Sequence, residues 1–190
     1  ADVDSDLAST NLRAGVVLFG VAGTIPPAPV PKTGSTVNQQ TGDDGTYQAG
    51  VASPEPRFST GSGTSSNCVT DNLTGLMWLR NPTGTLRNWS NSLVYCEGLT
   101  GSGGRGNFTD WRLPNVREMQ SLIDFENRAP ALPTVHPFLG VATTNDYWTG
   151  TIVYTGGDSK QNFAVSMDWG STGHFDPATL LFAWPVRGGF

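Results

Sequence analysis

The sequence holds two histidines and two cysteines in 190 residues. A zinc site or a Cys/His nucleophile pair therefore has little to draw on. Charge is scarce as well: 14% of residues are charged, with 11 Lys plus Arg against 16 Asp plus Glu. Neutralising a phosphate backbone needs clustered Lys and Arg, so no nucleic-acid partner is expected. No apolar run approaches the ~18 residues that a membrane span requires. The sequence lacks a Gly-x-Ser-x-Gly elbow, a P-loop and a dinucleotide fingerprint. The Gly-rich run 101–106 follows a helix-like segment rather than a strand, so it is not read as a phosphate cradle. Neither enzymatic activity nor a cofactor is expected.

Gly (24) and Pro (13) are abundant, with six Trp. Gly and Pro cost too much in helix interiors for a helical bundle. The aromatics can bury a core, which argues against disorder. The length suits one domain, or one domain plus a tail. The first residue is Ala1. That fits a mature form cleaved behind a small residue, and it fits an arbitrary boundary equally.

Three regions are distinguished. Residues 1–31 form an arm, with an apolar strand over 15–23 and Pro26, Pro27, Pro29 and Pro31 behind it. Such a Pro run favours a stiff, extended chain. Val16, Val17, Leu18, Phe19 and Val21 are the candidate assembly residues, because an apolar strand on a long arm needs a partner to cover it. Residues 32–56 read as an extended linker. Within it, the turn 41–46 resembles part of a calcium loop but lacks the alternating carboxylates and the closing Glu.

Residues 57–190 are the compact domain. Strand-like halves flank an Asp-Asn turn at 71–72. A short helix spans 88–98, with Trp89, Leu93 and Cys96 on one face and Gly98 as its stop. Asn115 and Glu118 form a capping box for a second helix. Its stripe of Val116, Met119, Leu122 and Ile123 is expected in the core. Strands are expected at 146–153, 162–169 and 180–187, separated by Gly-rich turns.

Cys68 and Cys96 would pair in an exported protein. A bridge closing a loop of that size is worth about 3–4 kcal/mol. His136 sits in a Pro-flanked loop and reads as structural, while His174 lies in an exposed turn and is the better ligand candidate. Asn72, Asn88 and Asn107 head glycosylation triplets. A candidate ligand surface gathers Tyr147, Tyr154, Asp168, Trp169, His174 and Asp176. These polar and aromatic groups lie on or near Gly-rich turns, where Tyr and Trp give large contact area at low entropy cost. Trp148 and Trp184 are expected in the core.

The run from Asp110 to Glu118 (DWRLPNVRE) is the most informative stretch. With 70–78 (TDNLTGLMW) upstream, and Asp146-Tyr147-Trp148 and the run Trp184 to Gly189 (WPVRGG) downstream, it resembles one bacterial domain family. That family is typified by the C-terminal domain of the Legionella collagen-like adhesin. The resemblance covers about 70–189. It implies an α+β, C-type-lectin-like fold related to formylglycine-generating enzymes, with two helices and a mostly antiparallel sheet behind the arm. The reactive Cys pair of those enzymes is missing here, so oxidase activity is not implied. The family implies an extracellular or cell-surface binding module, often trimeric, with a glycan or protein ligand. In the adhesin the ligand is a sulfated polysaccharide; the acidic balance here speaks against an anionic one. The other readings are a filament subunit that self-associates through the arm and a variable receptor-binding protein of a phage or retroelement system.

Overall fold

The computed structural model describes residues 30–82, 84–99, 105–156 and 160–188, and the backbone of 17–18 and 21–22. The chain divides into two compact units, Ala1–Pro31 and Lys32–Phe190.

In the first unit, Val17–Leu18 (β1) pairs antiparallel with Val21–Ala22 (β2), in the register Val17↔Ala22 and Leu18↔Val21. Where a single strand was expected over 15–23, the described residues 17–18 and 21–22 are two short strands paired with each other. Their ladder partners come from the chain itself. The side chains of the assembly candidates Val16, Val17, Leu18, Phe19 and Val21 lie outside the described residues.

The second unit is α+β and mostly antiparallel. Phe58–Thr60 (β3), Cys68–Asp71 (β4), Met77–Leu79 (β5) and Val186–Arg187 (β10) make one sheet, ordered β10-β5-β4-β3. Tyr147–Tyr154 (β6), Lys160–Val165 (β7), Thr172–Phe175 (β8) and Phe182–Ala183 (β9) make the other, ordered β8-β7-β6-β9. Among the described strands, only the β6–β9 pair runs parallel. The β4–β5 turn forms where expected. Asp71 accepts hydrogen bonds from the Leu73 amide at 3.0 Å and the Thr74 hydroxyl at 2.9 Å. Gly75 then takes a left-handed φ of 72°, which glycine adopts without a Cβ clash. Arg57 closes the site with a two-pronged ion pair to Asp71 and a 2.7 Å bond to the Ser121 carbonyl.

Trp184 links the sheets. Its indole N–H donates to the Leu79 carbonyl at 2.8 Å. Its ring lies 5.7 Å from Trp78, 4.9 Å from Phe138 and 5.3 Å from Tyr147. Trp148, also fully buried, belongs to a second cluster with Leu113 and Ala164.

Both expected helices are present: Trp89–Glu97 (α2), capped by Asn88 and ended by Gly98, and Val116–Gln120 (α3), with its capping box complete. Met119, Leu122 and Ile123 are buried. Arg112 ties α3 to the C-terminal strand through Glu118 and the Gly188 carbonyl. The one-turn helix Asp44–Tyr47 (α1) was not anticipated. It occupies the calcium-like turn. Asp43 caps it, accepting from the backbone N–H groups of Gln39, Gln40 and Thr46. Those bonds hold its carboxyl down at about 2. Asp44 accepts from the Thr33 hydroxyl. Among the described residues no three His, Cys, Asp or Glu side chains gather as a metal site.

Segment 32–56 is not a free linker. The Lys32 amide donates to Val51 at 3.1 Å, the Phe125 amide to Thr33 at 2.9 Å, and the Thr36 amide to the Glu126 carboxylate at 2.7 Å. The segment thus exchanges hydrogen bonds with the loop after α3, donating from the Thr36 amide and accepting at the Thr33 carbonyl, and closes one of its own through Lys32 and Val51. No disulfide joins Cys68 to Cys96. Each is a buried thiol, Cys68 in the main core and Cys96 in the second cluster. Burial pushes the Cys96 thiol up to about 12 and raises Cys68 as well.

Candidate functional site

The turn 166–171 joins β7 to β8 and is held at both ends. The Ser166 amide donates to Ser171 at 2.9 Å, and the Gly170 amide donates to Ser166 at 3.0 Å. Gly170 has φ 72°, and a Cβ there would come within 2.5 Å of the Ile123 side chain. Only glycine lets the turn lie flat on that residue. Two further backbone bonds, Ala129 to Asp168 and Ala131 to Met167, fasten the turn to the loop after α3.

On this frame Trp169 is 58% exposed. The Arg128 guanidinium lies 3.5 Å from its ring centroid, within cation–π range. A 3.6 Å ion pair to Asp168 steadies the same guanidinium. Phe125, also exposed, sits against Gly170 beneath the turn. The corner therefore presents two aromatic rings and one cation on a backbone fixed by hydrogen bonds. Asp168 and Trp169 were anticipated. Arg128 and Phe125 were missed, because they come from a loop some forty residues upstream that only folding brings to the turn.

The other anticipated residues lie elsewhere. Tyr147 is fully buried; its hydroxyl accepts from the Ala142 amide at 2.7 Å, and burial raises its pKa to about 12. It is a core residue and leaves the ligand set. Alternation explains this: Tyr147 pairs with Val165 on the sheet face that carries the main core. Tyr154 is exposed and pairs with Lys160, at the far end of β7 from the turn. Those six residues span about 17 Å at ~3.3 Å per residue. His174 is on a strand, not in a turn. It is exposed, its Nδ1 meets the Gln161 amide oxygen, and its ring stands edge-on to Phe163. Asp176 caps the next turn, accepting from the Ala178 amide at 2.8 Å. The anticipated surface is thus split, with Asp168 and Trp169 at one end of the β7–β8 hairpin and Tyr154, His174 and Asp176 toward the other. Two glycosylation triplets have structural roles: Asn72 donates to the Pro56 carbonyl and the Ser59 hydroxyl, and Asn88 is the α2 cap.

A second feature had no signal in the sequence. Segment 32–58 and the loop 133–137 enclose a cleft of about 660 Å³, with Phe58 and Ile123 among its apolar lining. His136 is on its wall. Burial lowers that imidazole's pKa, opposed by a backbone hydrogen bond at Phe138.

The profile of the Lcl C-terminal domain matches residues 67–187. The chain belongs to the Lcl C-terminal domain family. That match spans β4 to β10 and includes the Trp169 corner. Most of the segment that walls the cleft precedes it. Among the curated proteins compared, none matches the chain. The Lcl family points to a surface-associated, adhesin-like domain. No helix among the described residues is long and apolar enough to cross a membrane.

Proposed function

We propose that this chain is a non-enzymatic binding module of the cell surface, and that it meets its ligand, a glycan or a protein, at the Trp169–Arg128 corner. The observation that carries the reading is a half-exposed Trp with a cation on its face, on a turn locked at both ends. Exposing a Trp forfeits burial of a large apolar ring. Trp and Arg are the side chains most enriched among residues that dominate binding energy. A rigid turn lowers the entropy cost of ordering them. Self-association through the arm, as a trimer or a filament, belongs to the same proposal, since its apolar run lies in a unit of its own.

The test is binding of the full chain to arrayed glycans and to intact host-type cells, with Trp169→Ala and Arg128→Ala alongside. Each variant is expected to weaken binding at least about tenfold while leaving the melting temperature within about 2 °C. Wild-type binding by Trp169→Ala overturns the reading.

A further inference from the structure

We propose that the outer edge of β8 is a docking edge for an extended segment of a protein ligand, which adds to the sheet as a further strand beside the Trp169 corner. The inference rests on the binding-module reading and takes its protein branch.

The direction of the backbone groups carries it. β8 is the last strand of its sheet and pairs on one side, with β7. The Ser166 amide donates to the Ser171 carbonyl at 2.9 Å, which sets the phase of the ladder. Residues facing each other in an antiparallel pair alternate between bonded and unbonded. Gly173 and Phe175 therefore bond to Ala164 and Asn162, while Thr172 and His174 turn their N–H and C=O groups away from β7. Among the described residues, no hydrogen bond reaches those outward groups.

The other outermost strands are answered or shorter. Arg112 exchanges both backbone bonds with Val186 of β10, at 2.9 and 3.0 Å. Arg87 does the same with Leu181 beside β9, at 2.8 and 2.9 Å. β3 has three residues, and it walls the cleft. β8 has four, in unbroken register, and carries none of the Pro, Lys or bulge devices that keep edges from pairing.

The chemistry of this edge selects a peptide. Thr172 and His174 each offer a donor and an acceptor, two residues or ~6.6 Å apart. An extended backbone returns matching groups at that repeat. Side chains across a strand pair share a face. The occupant's residues opposite Thr172 and His174 therefore meet a polar side, where Gln120 bonds to Thr172 and Gln161 engages His174. The residue between them lies opposite Gly173, next to the half-buried Phe175 ring, which a Cβ on Gly173 would approach to 3.1 Å. The class is thus an extended polar–apolar–polar segment. β8 leads directly out of the turn that holds Trp169, so the same segment can run from the edge onto the corner. A second copy pairing β8 to β8 would join through four residues a side, against the ~20–30 a side of a standard interface.

The experiment selects short linear peptides, displayed on phage, against the full chain. The strongest is synthesised as the probe, and its affinity is measured with wild type, His174→Pro, His174→Ala and Trp169→Ala. Proline removes the outward N–H and leaves the β7 ladder intact, while alanine removes the side chain alone. Amide hydrogen exchange of the wild-type chain is followed with and without the probe. The expected result is a probe with the polar–apolar–polar pattern that slows exchange at Thr172 and His174. It binds His174→Pro at least about tenfold more weakly than His174→Ala, and Trp169→Ala weakens it too. Selection of no peptide overturns the inference, as does unchanged exchange at Thr172 and His174 when the probe binds. Slow exchange there before any probe is added also overturns it, because a second copy then covers the edge. If Trp169→Ala abolishes binding and His174→Pro matches His174→Ala, the corner stands and the edge falls. If the Pro variant loses binding and Trp169→Ala keeps it, the edge stands without the corner. Should His174→Pro fail to fold, the exchange measurement on wild type decides.

Discussion

Cys96 and Tyr147 hold their protons more tightly in the folded chain than in an unfolded one. Burial raises the Cys96 thiol from its ordinary 9.0 to about 12, and the Tyr147 phenol from 10.0 to about 12. A group whose pKa is raised by folding stabilises the fold fully below its unfolded value and loses that contribution as pH rises through the folded one. The protein should therefore hold its stability to about pH 9 and lose it progressively toward about 12. The check is a denaturant titration at several alkaline pH values. Tyr147→Phe should flatten part of the decline above pH 10, while costing about 1 kcal/mol at neutral pH for the lost bond to Ala142. A steeper alkaline decline in Tyr147→Phe would contradict the burial argument. The same residue shows what sequence misses at this scale. Tyr147 is a polar-tipped aromatic next to Trp148, and a strand sends two such neighbours to opposite faces. Here both faces are buried, because α3 packs against β6 and β7 while α2 covers the other side of β6.

At the scale of elements, α3 was the most legible feature. Asn115 accepts from the Glu118 amide at 2.9 Å, and Glu118 accepts from the Asn115 amide at 2.7 Å. Both bonds follow from a local spacing that any chain context preserves. Glu118 also carries the ion pair to Arg112, so the box sets the junction between the Arg112 bridge and the helix. Asn115→Ala should cost about 0.5–2 kcal/mol by chemical denaturation. A loss under about 0.3 kcal/mol would mean that the cap does not hold the helix. β8 was read as a turn because Gly173 and two flanking polar residues interrupt its pattern. It forms because β7 offers an edge, with four residues in register from Asn162↔Phe175 to Val165↔Thr172. Segment 32–56 illustrates a related limit of composition. Its composition is that of a linker, yet its amides find acceptors on the loop 124–126 and within itself.

For the whole molecule, the division at Pro31 and Lys32 makes a direct prediction. A chain beginning at Lys32 should fold with a melting temperature within about 2 °C of the full chain, because the backbone bonds that anchor 32–36 are all retained. If the arm assembles copies, that chain should also sediment as a monomer while the full chain does not. An unchanged oligomeric state would remove the arm from assembly. A chain beginning at Phe58 should behave differently. It loses Arg57, which leaves Asp71 buried and unpaired, and such a loss costs about 3–5 kcal/mol.

The sequence by itself determined the α+β character, the capped helices, the Asp-Asn turn, the Trp-rich core and membership of the Lcl family, whose profile matches the region where the resemblance lay. All of these rest on short-range spacing or on side chains too apolar to stay in water. Tertiary structure alone decided that the two thiols sit in separate clusters, that Arg128 and Phe125 join Trp169, and that segment 32–56 walls a cleft. Each of these depends on which distant backbone donors, acceptors and faces meet when the chain closes, and no local pattern encodes that meeting.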